Sequence, residues 1–195
     1  MLHIEPVILS SDRLILRPLS LHDVPALGHA ANDGALWEKR TTTVPRPEGF
    51  GEYVRKALDL QVAGLALPFV TIVKDGDQAV GSTRFMNIDA ANHRVEIGTT
   101  WIARSWQRTF VNTHAKYLML RHAFEVLGCI AVEIRTHSQN DQSRAAIERL
   151  GAKLDGILRR HMIMPDGHIR DTAVYSIIRE EWPEVKARLE QRLAD

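Results

Sequence analysis

The chain has 195 residues, with 25 Lys and Arg against 24 Asp and Glu, a formal net charge of +1, and 45% hydrophobic and 25% charged residues. That is the balance of an ordinary folded domain, and 12 glycines with 8 prolines are too few for low-complexity disorder. The length fits one domain able to bury its apolar surface without a metal or disulfide staple, and the near-zero charge argues against nucleic-acid or membrane partners.

A single cysteine, Cys129, excludes an intramolecular disulfide and suits a reducing cytosol. Glu5 and Pro6 stand where a secretory leader would need a basic start and an apolar core. The most apolar stretch, residues 62–73, is broken by Gly64, Pro68 and Thr71 and is too short to span a bilayer. The expected location is the cytoplasm.

In chain order, residues 13–19 alternate as a strand. Ser20-Leu-His-Asp23 resembles a capping box and opens a helix toward Ala31. Pro47 starts a second helix, with Tyr53, Val54, Ala57, Leu58 and residues 60–62 as its apolar face, stopped by Gly64. Residues 67–73 and 79–88 are strands joined by an Asp75-Gly76 hairpin turn, and residues 90–92 turn the chain into a strand over 94–102.

The spacing of Ala115, Leu118, Met119, His122, Ala123 and Val126 predicts a helix over 112–127, ended by Gly128. Residues 130–136 are β-rich and follow it directly, as in a parallel crossover. A short helix over 142–150 closes at Gly151. Residues 153–164, a Pro165-Asp166-Gly167 turn and residues 171–178 form a long hairpin, and a last helix runs over 180–193. The order β α α β β β α β α β β α gives a single α/β domain with a mixed sheet covered by helices.

The most informative segment is 96–114, a strand, a short loop and a helix start. Unpaired N–H groups at a helix N-terminus favour phosphate, and Arg104 and Arg108 add two charges beside it. Solvated arginines on a plain connection fit the same residues.

The order of this segment, Asn140-x-x-Ser143, Leu150-Gly151-Ala152 and a hairpin ending Arg170-Asp171-x-x-x-Tyr175-Ser176 resembles the GNAT N-acetyltransferase superfamily. Within it, the likeness is greatest to the branch that holds the ribosomal-protein N-terminal alanine acetyltransferases. The resemblance runs from residue 13 to Trp182. It implies a mostly antiparallel sheet splayed at a cleft that takes acetyl-CoA, with the pantetheine arm along Thr100, Trp101, Ile102 and Ala103. It also places the pyrophosphate on Gln107, Arg108, Thr109, Phe110, Val111, Asn112 and Thr113, and Asn140 beside the pantetheine.

The family loop reads Gln/Arg-x-x-Gly-x-Gly/Ala. Here Gln107 fits, while Phe110 and Asn112 stand where small residues are expected. Glycines there would allow positive φ and close approach of backbone to phosphate. Phe110 then either blocks the ligand or turns outward, and Phe110→Gly is expected to tighten coenzyme binding. His114 stands where the branch often has Glu, and a protonated imidazole in the first turn would oppose the helix dipole.

An amine nucleophile must lose a proton to attack a thioester, which needs a base within reach. Glu96, on the cleft strand, is the candidate base, and a surface glutamate is its alternative. Ser143 matches the family position near the sulfur and would assist thiol departure, although it also fits a plain first helical turn after Asn140 or Asp141. Gly98 fits a bulge turning an N–H toward the acetyl carbonyl, or a plain strand glycine.

Nine histidines form no ligand cluster with metal spacing, so no metal is expected. Trp101 and Trp106, with Arg104 and Arg108, could stack nucleic-acid bases. At a net charge of +1 they better frame a coenzyme and acceptor cleft. The segments 32–47 and 162–169 would border the acceptor, and their mixed charges select no particular amine.

The expected activity is acetyl transfer from acetyl-CoA to a small-molecule or peptide amine. A non-catalytic acyl-CoA- or partner-binding module on the same fold is the alternative. A homodimer is left open, with no exposed apolar stripe legible in the sequence.

Overall fold

The structure, a computed structural model, describes residues 4–164 and 166–194. Strands β1 (Leu9–Ser10) and β2 (Leu14–Pro18) lead into helix α1 (Val24–Asn32) and helix α2 (Phe50–Val62). Three strands follow, β3 (Ala66–Val73), β4 (Gln78–Asp89) and β5 (Arg94–Ile102), then α3 (Phe110–Arg121), β6 (Ala131–His137) and α4 (Asp141–Leu150). Strands β7 (Lys153–Ile163) and β8 (Ile169–Ile178) form the hairpin before α5 (Trp182–Ala194).

Local chemistry sets most boundaries. The Asp23 carboxylate accepts from the Ser20 backbone N–H at 2.8 Å, so the box at Ser20 forms, but it caps a 3-10 turn that precedes α1. Gly64 and Gly128 adopt φ of +70° and +65° where their helices stop. Helix α3 differs from expectation by starting at Phe110 and passing at its end into a π-helical turn, His122–Val126. In that wider turn Ala123 and Phe124 are both buried, and Phe124 stacks on Trp182 at 5.3 Å. Pro165 of the hairpin turn lies outside the described residues.

All eight strands join one sheet in the order β1-β2-β3-β4-β5-β6-β8-β7. Among the described residues every neighbouring pair is antiparallel except β5 with β6. Alternation along the strands sends side chains to two cores. Phe69, Phe85, Val95, Ile97, Val132 and Ile134 pack with Leu118 of α3, Ile147 of α4 and Leu189 of α5. On the opposite face Val70, Ile72 and Trp101 pack with Leu27 of α1 and with Phe50 and Val54 of α2.

Strand β7 is the sheet's outer edge, and Leu154, Ile157, Leu158, Met162 and Ile163 on it are exposed. This apolar strand is the exposed stripe that sequence reading does not find. A bulge at residues 159–161, where the Arg160 N–H donates to Asp171, interrupts it and discourages edge-to-edge pairing. Among the described residues no helix is long and apolar enough to cross a membrane.

Candidate active site

Strands β5 and β6 share three rungs, Arg94 with Ala131, Val95 with Val132 and Glu96 with Glu133. Beyond Glu96 they part, leaving residues 97–102 and 134–137 as the walls of a V. A bulge in β5 accompanies the split. Arg84 pairs with Gly98 and Ser82 with Trp101, so Thr99 and Thr100 together oppose Thr83. Thr99 carries φ of +47°, a rare conformation for a β-branched residue. The bulge expected at Gly98 therefore lies one residue further on. Gly98 matters for a different reason, since a Cβ there would come within 2.5 Å of Met86 Sδ and 3.0 Å of Glu96 Oε1.

Glu96 is buried at the last rung. Asn87 Nδ2 donates to its Oε2 at 2.7 Å, and the Arg135 guanidinium stands 3.4 Å away. Arg135 also pairs with Glu133 at 2.8 Å. Burial pushes the Glu96 carboxyl above its usual range, the Asn87 bond and Arg135 pull it down, and Glu133 adds to the rise. A carboxylate held up in this way suits a base at neutral pH.

Across the V, β6 runs into the start of α4. Asn140 caps that helix, its Oδ1 accepting from the Ser143 backbone N–H at 3.1 Å, while its Nδ2 donates to Thr41 at 3.3 Å. The Asn140 amide is thus engaged with the protein on both sides. Ser143 sits half-buried in the first turn.

On the β5 side the wall is built largely of backbone. Thr100 is exposed to the opening, but Trp101, Ile102 and Ala103 are buried. The Trp101 indole does not frame the cleft. It lies against Phe50 at 5.5 Å and donates to Tyr53 Oη at 3.2 Å, so only its main chain can meet a pantetheine arm.

The loop into α3 is internally fixed. Gln107 Nε2 donates to the Ile102 carbonyl at 2.8 Å, Thr109 caps the helix by accepting from the Val111 N–H, and Asp33 accepts from Ser105. Val111 is buried, whereas Asn112 and Thr113 are half-buried in the first turn.

The family glycines turn out to be unnecessary for backbone strain here. Among the described residues of the loop and first turn, 107–113, the one positive φ belongs to Arg108 at +63°, and neither Phe110 nor Asn112 adopts one. Phe110 is turned into the protein, with the Arg13 guanidinium 3.6 Å over its ring and Trp106 and His114 against it. Phe110→Gly would remove that packing without relieving a left-handed residue. His114 is buried, bonded to Ser11 at 2.9 Å, and pushed by burial toward its neutral form, which avoids opposition to the dipole.

Three charged residues at this site escape sequence reading. Arg135 looks like a surface residue of an alternating strand, and its contact with Glu96 depends on the β5–β6 register. Lys116 is in α3, fully buried, with Nζ donating to Thr100 Oγ1 at 2.7 Å. Burial pulls its ammonium down to about 7. Arg84 in β4 is 6% exposed. Beside the V, an open depression of about 840 Å³ is lined by Arg94, Glu133, Arg135, Asp155, Val174 and Ser176 among others. Arg135 and Glu133 connect it to Glu96.

Residues 13–153 match the family model of the acetyltransferase (GNAT) domain. The chain is 25% identical over 175 residues to p20 of Bacillus licheniformis, named as an uncharacterised N-acetyltransferase, covering 89% of this chain and 97% of that one. It is 30% identical to a GCN5-related N-acetyltransferase from Brucella melitensis, with a TM-score of 0.85 over 97% of this chain and 86% of that one. RimL, a ribosomal L7/L12 alpha-N-protein acetyltransferase solved with coenzyme A, shares the fold at 21% identity and a TM-score of 0.76, over 88% of this chain and 98% of that one.

Proposed function

The chain belongs to the GNAT acetyltransferase family and is an acetyl-CoA-dependent acyltransferase, and on that premise we propose that it acetylates a primary amine by direct attack in a ternary complex. The acceptor is a small-molecule amine or a protein N-terminus, the latter in keeping with the fold shared with RimL. The observation that carries this reading is the buried carboxylate of Glu96 at the rung where β5 and β6 part.

The pantetheine arm lies along residues 100–103, and the pyrophosphate rests on residues 107–113 at the start of α3, with Arg108 beside it. Asn140 holds the opposite wall in place. Glu96 takes a proton from the acceptor ammonium, and the free amine attacks the thioester carbonyl. The tetrahedral intermediate collapses by breaking the carbon–sulfur bond, and the Ser143 hydroxyl hydrogen-bonds the departing thiolate, which takes up the proton that the attacking nitrogen gives up on becoming the amide and leaves as the thiol. Cytoplasmic residence goes with this reading and is supported by the single cysteine, buried and unpaired.

Calorimetric titration with acetyl-CoA tests the coenzyme site. A Kd of about 100 μM or tighter, near −5.5 kcal/mol, is expected. Absence of heat up to millimolar ligand would overturn the placement. Release of coenzyme A thiol that depends on an added primary amine tests the transfer.

A further inference from the structure

Arg84 lies on the same face of the sheet as Glu96 and Gly98, with Gly98 its direct partner on β5. The face is the one covered by α1 and α2, and the Arg84 guanidinium carbon is 5.4 Å from the ring centre of Tyr53 in α2. The residue is 94% buried, yet its Nε has no hydrogen-bond partner. Among the described residues, Nε is the one guanidinium nitrogen of Arg84 that is both shut off from solvent and without a partner.

A buried guanidinium nitrogen with no acceptor is costly, and structural arginines in such places are normally forked onto a carboxylate. The ring of Tyr53 offers a weak partner at that distance. What would complete the arrangement is an anion from outside.

Glu96 folds back over Gly98, its Oε1 3.0 Å from where a Cβ would sit. Directly opposed residues on antiparallel strands have Cβ positions about 4.5–5.5 Å apart. The carboxylate of Glu96 and the stem of Arg84 therefore flank one spot on the sheet without pairing. One of them suits an ammonium and the other an anion.

Resting on the acetyl-transfer reading above, we propose that Arg84 is the specificity residue for the acceptor, and that the acceptor is an amine carrying a carboxylate close to its amino group. The carboxylate docks on the Arg84 fork while the amino group lies toward Glu96. Arginine is suited to this role because its planar donors match a carboxylate bidentately. Two sources share the chemistry, a free amino acid and a peptide N-terminus followed by an acidic residue.

The test measures kcat/KM for matched probes with saturating acetyl-CoA. L-alanine is compared with L-alaninamide, and Ala-Asp-Gly-amide with Ala-Asn-Gly-amide. The carboxylate member of at least one pair should be preferred by roughly 10- to 100-fold, the range for charged hydrogen bonds. Preference in the first pair assigns a free amino acid, and preference in the second an acidic peptide.

Arg84→Met should bring the preferred pair to a ratio near one while its Kd for acetyl-CoA is unchanged. With no protein partner to lose, Arg84→Met should also melt at or above the wild-type temperature in the absence of acceptor, and Arg84→Gln should behave likewise. Equal rates within both pairs, turnover of neither pair, a ratio that survives in Arg84→Met, or a variant that fails to fold would each overturn the proposal. Failure of the acetyl-transfer reading shows itself separately, as wild-type protein that gives no heat with acetyl-CoA.

Discussion

Glu96 and Glu133 face each other across the last rung of the parallel β5–β6 pair, and the Arg135 guanidinium touches both carboxylates. The two acids are not equivalent. Glu96 is the more deeply buried, and burial holds its carboxyl above the usual range. Two like charges at the mouth of a splayed pair are tolerable because one cation is shared between them.

Glu96→Gln keeps the shape and the Asn87 contact region but removes the base. Turnover should fall by about 10²–10⁴-fold, with acetyl-CoA affinity unchanged in calorimetry. Turnover close to wild type would remove Glu96 from that role.

Arg135→Met removes a cation that lowers the Glu96 pKa and leaves the burial and the Glu133 charge that raise it. The carboxyl then deprotonates at higher pH. The acid limb of the rate profile should move upward in pH, with the plateau above it retained. A profile recorded from pH 5 to 9 checks this, and an unmoved limb would show that Arg135 does not act on the reacting carboxylate.

Asn140 and Ser143 are neighbours with separable roles. Asn140→Ala loses the α4 cap and the Thr41 contact and should cost about 1 kcal/mol of stability. Ser143→Ala places a good helix former in the first turn, so the melting temperature should hold while kcat falls. If Ser143→Ala turns over normally, the hydroxyl is only part of the helix.

Lys116 is buried with its ammonium pulled down to about 7, against 10.5 when unfolded. The folded state therefore binds the proton less well than the unfolded state. Lys116 lowers stability progressively as pH falls from 10.5 through about 7, and the full penalty applies below that. Lys116→Met should gain stability over wild type most at pH 6 and least near pH 10, as measured by urea unfolding. A constant difference across pH would mean that the lysine stays charged in the fold.

The strands and helices were legible because local signals agreed with the tertiary arrangement. The Asp75-Gly76 turn, the Ser20–Asp23 box and the stops at Gly64, Gly128 and Gly151 each act through a few bonds of neighbouring chain. The parallel β5–β6 pair was legible for the same reason, since a helix joining two strands turns the chain back once on entering it and once on leaving it. Where local signals were read as strain they misled. Phe110 and Asn112 suggested a loop deprived of left-handed glycines, but Arg108 takes the left-handed conformation and Phe110 packs under Arg13.

The sequence alone determined the order of elements and the family resemblance, and it singled out Glu96 within the strand that becomes β5 and Ser143 in the short helix after Asn140. These depend on periodicity and on residues close together in the chain. Only the tertiary structure decided that the bulge falls at Thr99, that Trp101 faces α2 and that Arg135 reaches Glu96. It alone leaves Arg84 Nε buried without an acceptor and Lys116 buried under Thr100. Each of these depends on strand register and on which face a side chain takes. A one-residue shift reverses that face, and no local signal in the chain encodes it.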